Sequence, residues 1–396
     1  MRNLALLTMV VFLLFMAGGV ILPVHSLYIK SLGANYALIG ALGTVGSVTG
    51  MSFSYVWGHA SDRTRQRKRF LMIGLAGIAL SRFLVAMAPS YVYVFPLVIL
   101  AAIADSAYAT SSLALMGDLL ERERGRGQSM GIYRGLASLG FGLMAFVSGS
   151  IADRASLRAP FFVSGGLAAA AFVLAFTVHE PSPSEQGEAR RAPGVTAKGS
   201  ARRLPMAPLL VSAFLWSLCF SAVYVVWANY MVERLGYSQA TMSRLWALAS
   251  TSEFPFMVLA GWLSDRVGRL PMLSLGFLCW ALVFVGYIGI PIMPWIVLIQ
   301  LMRGFAYSAY TAPAMTYAAE VRSQAERGRA SGLFNSAGGL GAIIGSVTGG
   351  ALAQFVGFVP MIAICAALAF AGAVYVGGCA LRWRASLRAV AEGSFS

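Results

Sequence analysis

An all-helical membrane protein of twelve spans, built as two pseudo-symmetric six-helix bundles, is the fold class that three observations predict. Hydrophobic residues make up 58% of the 396-residue chain and charged residues only 11%, too little polar surface to cover a soluble globule. Twelve apolar runs approach the ~20 residues needed to cross ~30 Å of hydrocarbon. The second half also repeats the punctuation of the first, because Gly58-His59-Ala60-Ser61-Asp62-Arg63 returns as Gly261-Trp262-Leu263-Ser264-Asp265-Arg266. Such an echo is the mark of an internal duplication.

In order, the apolar runs cover residues 4–28, 36–57, 70–88, 92–116, 130–151, 160–178, 209–231, 239–262, 271–288, 295–317, 330–354 and 358–381. The first follows Arg2 but lacks a small-x-small cleavage site and continues through Gly18, Gly19 and Pro23, so it is read as a retained span. Between the sixth and seventh runs the composition turns polar and proline-bearing. The expected domains are therefore 1–179, a cytoplasmic linker 180–206, and 207–396.

A formal charge of +15 raises the question of nucleic acid, and the distribution of the 30 basic residues answers it. With the N-terminus inside, most of them fall in cytoplasmic segments, and Lys30, Arg154, Arg158 and Arg234 are left on the other side. That asymmetry places both termini in the cytoplasm and assigns the excess charge to topology and anionic headgroups. Membrane lipids are thus expected partners and nucleic acid is not. Cys219, Cys279, Cys365 and Cys379 lie within apolar runs without metal-ligand spacing, so neither a metal nor a disulfide is expected. No phosphate-binding glycine loop with lysine and no nucleophile constellation occurs, which excludes the common enzyme classes and ATP-driven chemistry. No cofactor is expected.

The repeated word carries a resemblance. Gly-x-x-x-Asp-Arg-x-Gly-Arg after the second and eighth spans resembles the signature loop of the major facilitator superfamily over essentially the whole chain. The second copy fits through Gly261, Asp265, Arg266, Gly268 and Arg269; the first, with Gly58, Asp62 and Arg63, has Arg65 where the family places its second glycine. The resemblance implies a multi-pass protein of the inner (cytoplasmic) membrane, acting as a monomer, that moves a small molecule by alternating access. It further implies a cytoplasmic gate in which Asp62 and Arg63 meet the start of span 11 and the acid ending span 4, Asp118. Gly40, Gly43, Gly46 and Gly50 in span 2, and Gly341, Gly345 and Gly349 in span 11, are close-approach surfaces that either slide as the halves rock or pack statically.

Charges inside hydrocarbon cost several kcal/mol (about 3 at a span centre) unless paired or facing water, so each one is a candidate for function. Arg82 lies 13 residues beyond Arg69 and Asp105 lies 13 before Asp118, which puts both about 20 Å from the ends of antiparallel neighbours, close enough to pair. Asp105 shares a helical face with Tyr108 and Ser112, and span 4 lines the cavity in the family. Glu253 precedes Pro255 and lies on the opposite side of its helix from Arg244. Asp105 and Glu253 are the proton-coupling candidates. Arg303, Tyr307, Tyr310 and Tyr317 share one face of span 10, and Trp216, Phe220, Tyr224 and Trp227 one face of span 7; both read as cavity walls. Arg303 is the candidate anion-holding or pKa-setting charge, and Arg134 is expected to reach headgroups or Asp118.

Direction is signalled in conflicting ways. The antiporter pattern of span 5 is broken at Ala145-Phe146, whereas Gly19-Val20-Ile21-Leu22-Pro23-Val24 resembles the opening of drug and metabolite exporters. The leading expectation is proton-coupled export of a small amphiphilic or aromatic solute. The alternatives are uptake of a sugar, carboxylate or nucleoside, proton-coupled or facilitative, and a non-transporting receptor on the same fold.

Overall fold

A computed structural model of the chain describes residues 2–64, 66–120, 126–179, 205–320 and 327–393. The expected linker, and the segments ending spans 4 and 10, lie largely outside these residues. Fourteen helices are described: α1 (Arg2–Ile21), α2 (His25–Ser31), α3 (Tyr36–Thr64), α4 (Arg67–Met87), α5 (Tyr91–Leu120), α6 (Arg126–Arg154), α7 (Ala159–Ala175), α8 (Met206–Tyr224), α9 (Trp227–Asn229), α10 (Gln239–Val267), α11 (Arg269–Gly289), α12 (Trp295–Glu320), α13 (Arg327–Phe355) and α14 (Phe358–Gly393). A π-turn, Tyr230–Arg234, follows α9. Among the described residues there is no strand.

Nine of these helices are long and apolar enough to cross a membrane. The other three runs expected to span coincide with α7, which has 17 residues, and with α10 and α12, which carry Arg244, Glu253 and Arg303. Helices dominate for a physical reason: in hydrocarbon every backbone N–H and C=O must be satisfied within the segment.

Two compact units are present. The first comprises Met1–Ser200 with Ala228–Ala247; the second comprises Ala201–Trp227 with Leu248–Ser396. In the first, α1 packs on α6 and α7, α4 on α5 and α7, and α3 on α5. In the second, α8 packs on α13 and α14, and α11 on α12 and α14. The pairings α1–α6 and α8–α13 occupy equivalent places in the repeat, as the duplicated word requires.

Glycines set these contacts. A Cβ at Gly341, Gly345 or Gly349 would overlap the backbone carbonyl oxygens of Phe214, Leu218 and Ala222 respectively, so α13 lies backbone-to-backbone on α8. This stripe is in contact with α8 of its own unit. Gly19 on α1 meets the Phe141 carbonyl of α6 in the same way. The α3 glycines differ: Gly46 approaches only the Val98 side chain and Gly50 has nothing within 4 Å.

Candidate functional site

In the first unit the glycine face of α3 and the small-residue face of α5 leave a cavity of about 490 Å3 between them, with Arg82 reaching in from α4. Gly43, Gly46, Gly50, Ala102, Asp105 and Ser106 line it. Arg82 Nη2 lies 3.5 Å from Asp105 Oδ2, so the equal depths counted along antiparallel helices do bring the two charges together. The Asp105 side chain retains 49% of its exposure, and Arg82 only 22%. The carboxylate is thus the accessible partner. Tyr108, expected on the same wall, is 8% exposed and packs instead in the apolar core with Leu75, Ile78 and Leu115. The cavity-facing positions of α5 run through 98, 101, 102, 105, 106 and 109, a face whose centre is rotated away from Tyr108.

The first unit also holds a polar cluster that the sequence reading missed. Lys30, at the end of α2, donates to Glu233 of the π-turn and to the Tyr36 hydroxyl, 2.6 Å away. The Tyr36 hydroxyl also donates to Glu233 at 2.7 Å, and Asn229 Nδ2 donates to its other oxygen at 2.8 Å. Burial opposes the Glu233 charge, but the hydrogen bonds from Asn229, Lys30 and Tyr36 prevail and hold its carboxyl below the usual range. Burial likewise opposes the Lys30 charge, and its bonds to Glu233 and Tyr36 raise it above the lysine value. Nearby, Asp153 at the end of α6 accepts the Ala240 N–H at 2.9 Å in the first turn of α10, and Ser243 Oγ accepts the Gly149 N–H at 3.0 Å. The only advance signal was Lys30, one of four basic residues on the basic-poor side. Its acidic partner is 203 residues away in sequence and has no motif.

In the second unit the aromatic faces expected from α8 and α12 do meet. Trp216 stacks on Tyr310, with centroids 4.0 Å apart at 8°, and on Trp280 at 5.0 Å and 23°. Phe220 stacks on Tyr224 at 4.7 Å and on Trp280 at 5.9 Å. Beside them is a cavity of about 290 Å3, lined by Trp216, Phe220, Tyr307, Tyr310, Phe334 and hydroxyl-bearing residues. The α11 contributors Phe277, Trp280 and Tyr287 were not singled out from sequence, because a uniformly apolar helix gives no rotational phase.

Arg303 sits behind this wall, 3% exposed. Its guanidinium lies 4.7 Å from the Tyr224 ring centroid and 6.0 Å from that of Trp227. Nη1 donates to Gln300 at 3.4 Å, and Tyr224 and Tyr287 pair their hydroxyls at 3.2 Å. Glu253 is among its electrostatic neighbours, with Tyr307. The Glu253 carbonyl accepts from Ser308, which ties α10 to α12. Arg244, in the first unit, lies 5.5 Å over the Phe146 ring.

The signature loops are described unequally. Gly58 and Arg63 lie at the end of α3, but the side chains of Asp62, Asp118 and Arg134 lie outside the described residues. In the second copy, Asp265 accepts from Arg269 at 2.6 Å, Arg269 also donates to Ser264 at 3.0 Å, and Arg266 lies 3.8 Å over Trp262. Gly268 turns between α10 and α11 at φ 99°, where a side chain would be strained. Arg384 of α14 braces that turn by donating to the Val267 carbonyl at 2.6 Å.

This repeat, its helix pairing and the nine membrane-length helices among the described residues define a polytopic membrane protein. Residues 4–362 match the model of the MFS_1 like family, and the chain belongs to that family of the major facilitator superfamily. It is 26% identical over 352 residues to the maltose permease of Geobacillus stearothermophilus, covering 87% of this chain and 86% of that one. It is 24% identical over 235 residues to the quinolone resistance protein NorA of Staphylococcus aureus, 59% of each. The crystal structure of the nucleoside transporter NupG superposes with a TM-score of 0.79 at 15% identity, covering 96% of this chain and 99% of that one. Both family and neighbours are transporters, not enzymes.

Proposed function

We propose that the chain is a proton-coupled exporter of a small amphiphilic or aromatic solute. The aromatic cavity between α8 and α12 of the second unit carries the reading: a concave, mostly apolar site with a few convergent polar groups is what a small organic molecule needs. Asp105 is the first proton site, because it is an accessible carboxylate in a membrane-embedded cavity, held by one arginine that can retain or release it. Glu253, in electrostatic reach of Arg303, is the second. Arg303 sets the charge environment of the wall, and the signature loops gate the cytoplasmic side with both termini there. The similarity to NorA, named for quinolone resistance, supports the outward direction.

The test is transport in proteoliposomes under an imposed pH gradient. Asp105→Asn and Glu253→Gln are each expected to abolish gradient-driven accumulation while leaving solute exchange. Intact accumulation in both variants would remove these residues from coupling.

Uptake is the second reading. The match to a permease named for maltose runs over most of both chains, whereas the NorA match covers little more than half. Inverting the gradient in the same vesicles separates the two directions.

A further inference from the structure

We infer that the second-unit cavity takes a neutral ring bearing hydroxyl groups, with the ring's apolar face against Phe220 and Tyr307 and its hydroxyl edge against Ser217, Ser221 and Thr311. The inference rests on the proposal that this cavity is the transport site, and it names the substrate class.

Hydroxyls are the first ground. Elsewhere on these helices Ser and Thr turn back onto their own backbone, as Ser212 does to Leu209 at 2.8 Å, Ser308 to Gly304 at 2.9 Å and Thr316 to Ala312 at 3.0 Å. Ser217, Ser221 and Thr311 line the cavity, and none of their hydroxyls is bonded to another described residue. Ser217 and Ser221 are one turn apart on α8, with Thr311 across from them on α12. Three hydroxyl-bearing residues lining one space, each able to donate and accept, suit a ligand that also does both.

Charge is the second. No acidic or basic side chain lines this cavity. Arg303 is engaged by Tyr224, Trp227 and Gln300 at 3% exposure and is not part of the lining. A charged solute would lose its hydration there without a counter-ion, whereas a neutral one exchanges water hydrogen bonds for those of the serines and threonine.

Shape is the third. Trp216, Tyr310 and Trp280 are stacked on one another and fill their own space, so they form a rigid backing. Phe220 and Tyr307 are half-buried and line the cavity. At about 290 Å3, the space is at the lower end of small-molecule sites, which run from about 300 to 1,000 Å3. That admits one or two rings. A glycoside or nucleoside has the required form, with an apolar ring face and a hydroxyl perimeter.

The experiment is calorimetric binding to the purified full chain, using a monosaccharide, a disaccharide, a nucleoside, a cationic aromatic dye and an aromatic carboxylate. At least one neutral hydroxylated ring is expected to bind. Ser217→Ala/Thr311→Val is expected to weaken it by about tenfold or more, from two lost hydrogen bonds of about 1 kcal/mol each. The deoxy analogue of that ligand should respond to the variant far less. Ser217→Thr, which keeps the hydroxyl, controls for misfolding. Binding confined to the charged compounds, no binding by any neutral ring, or equal affinity in wild type and the double variant would overturn the inference. A neutral ring that binds with this hydroxyl dependence, yet is not moved by any gradient, would overturn the transport reading instead.

Discussion

Trp216 of α8 and Tyr310 of α12 lie face to face, 4.0 Å between ring centroids and 8° from parallel, at 5% and 4% exposure. The two rings lock the helices that flank the second-unit cavity. In lipid the hydrophobic drive between helices is small, so shape-matched contact carries the pairing. Trp216→Ala removes both stacks and leaves a void, and is expected to cost about 3 kcal/mol in unfolding measured in detergent. Tyr310→Phe keeps the ring and gives up only a 3.5 Å contact to Ser212, so its melting temperature should stay within about a degree of wild type.

Arg82 and Asp105 offer a test by double substitution. Removing one partner strands the other charge at membrane depth, and removing both does not. Because Asp105 is half exposed, each single alanine variant is expected to cost only about 1–2 kcal/mol. The double variant should cost less than the two singles together. Additive losses measured by denaturation would show that the 3.5 Å approach carries no coupling.

Gly345 is the central residue of the α13 stripe, and its Cβ position is occupied by the Leu218 carbonyl. Gly345→Leu must push α13 off α8 and is expected to destabilise the second unit by about 3 kcal/mol, or to abolish folded yield. Gly50→Ala on α3 meets open space and should be silent in the same thermal assay.

The Lys30–Glu233 contact predicts a pH window. Glu233 has a lowered pKa, so its contribution is complete above the ordinary carboxylate range and is lost as pH falls through the depressed value. Lys30 has a raised pKa, so its share persists below the ordinary lysine range and is lost as pH rises through the elevated value. Glu233→Gln should therefore lower the melting temperature at neutral pH, and the gap to wild type should close in strong acid. A gap that stays constant down to strong acid would show that the ion pair is not its source.

Arg303 is buried against two rings and Gln300, a geometry that a planar guanidinium fits and an ammonium does not. Arg303→Lys should retain the charge but lose stacking, lowering thermal stability by about 1–2 kcal/mol. Arg303→Ala should cost more than Arg303→Lys in the same assay, because it also strands polar neighbours.

Much of this site was legible in advance where spacing fixes a face. Trp216 and Phe220, and Tyr307 and Tyr310, recur at three or four residues and line one cavity, whereas Tyr224 stacks on Phe220 outside that lining. Asp105 and Arg82 were matched by equal depth. Tyr108 was not legible in this way, because α5 is apolar around most of its circumference and helical periodicity alone does not choose the rotation. Nor was Glu233, because a contact between residues 203 apart leaves no periodic trace.

The sequence by itself determined the membrane setting, the helical class and the duplication, because composition, run length and a repeated loop are properties of the chain taken in order. It also determined which helices bear charge. Only the tertiary structure decided which way each helix turns. That rotation put the α13 glycines against α8 and withdrew Arg303 behind Tyr224. It also opened Ser217, Ser221 and Thr311 onto a cavity. These outcomes depend on side-chain volumes from several helices meeting at once, and no single stretch of sequence contains them.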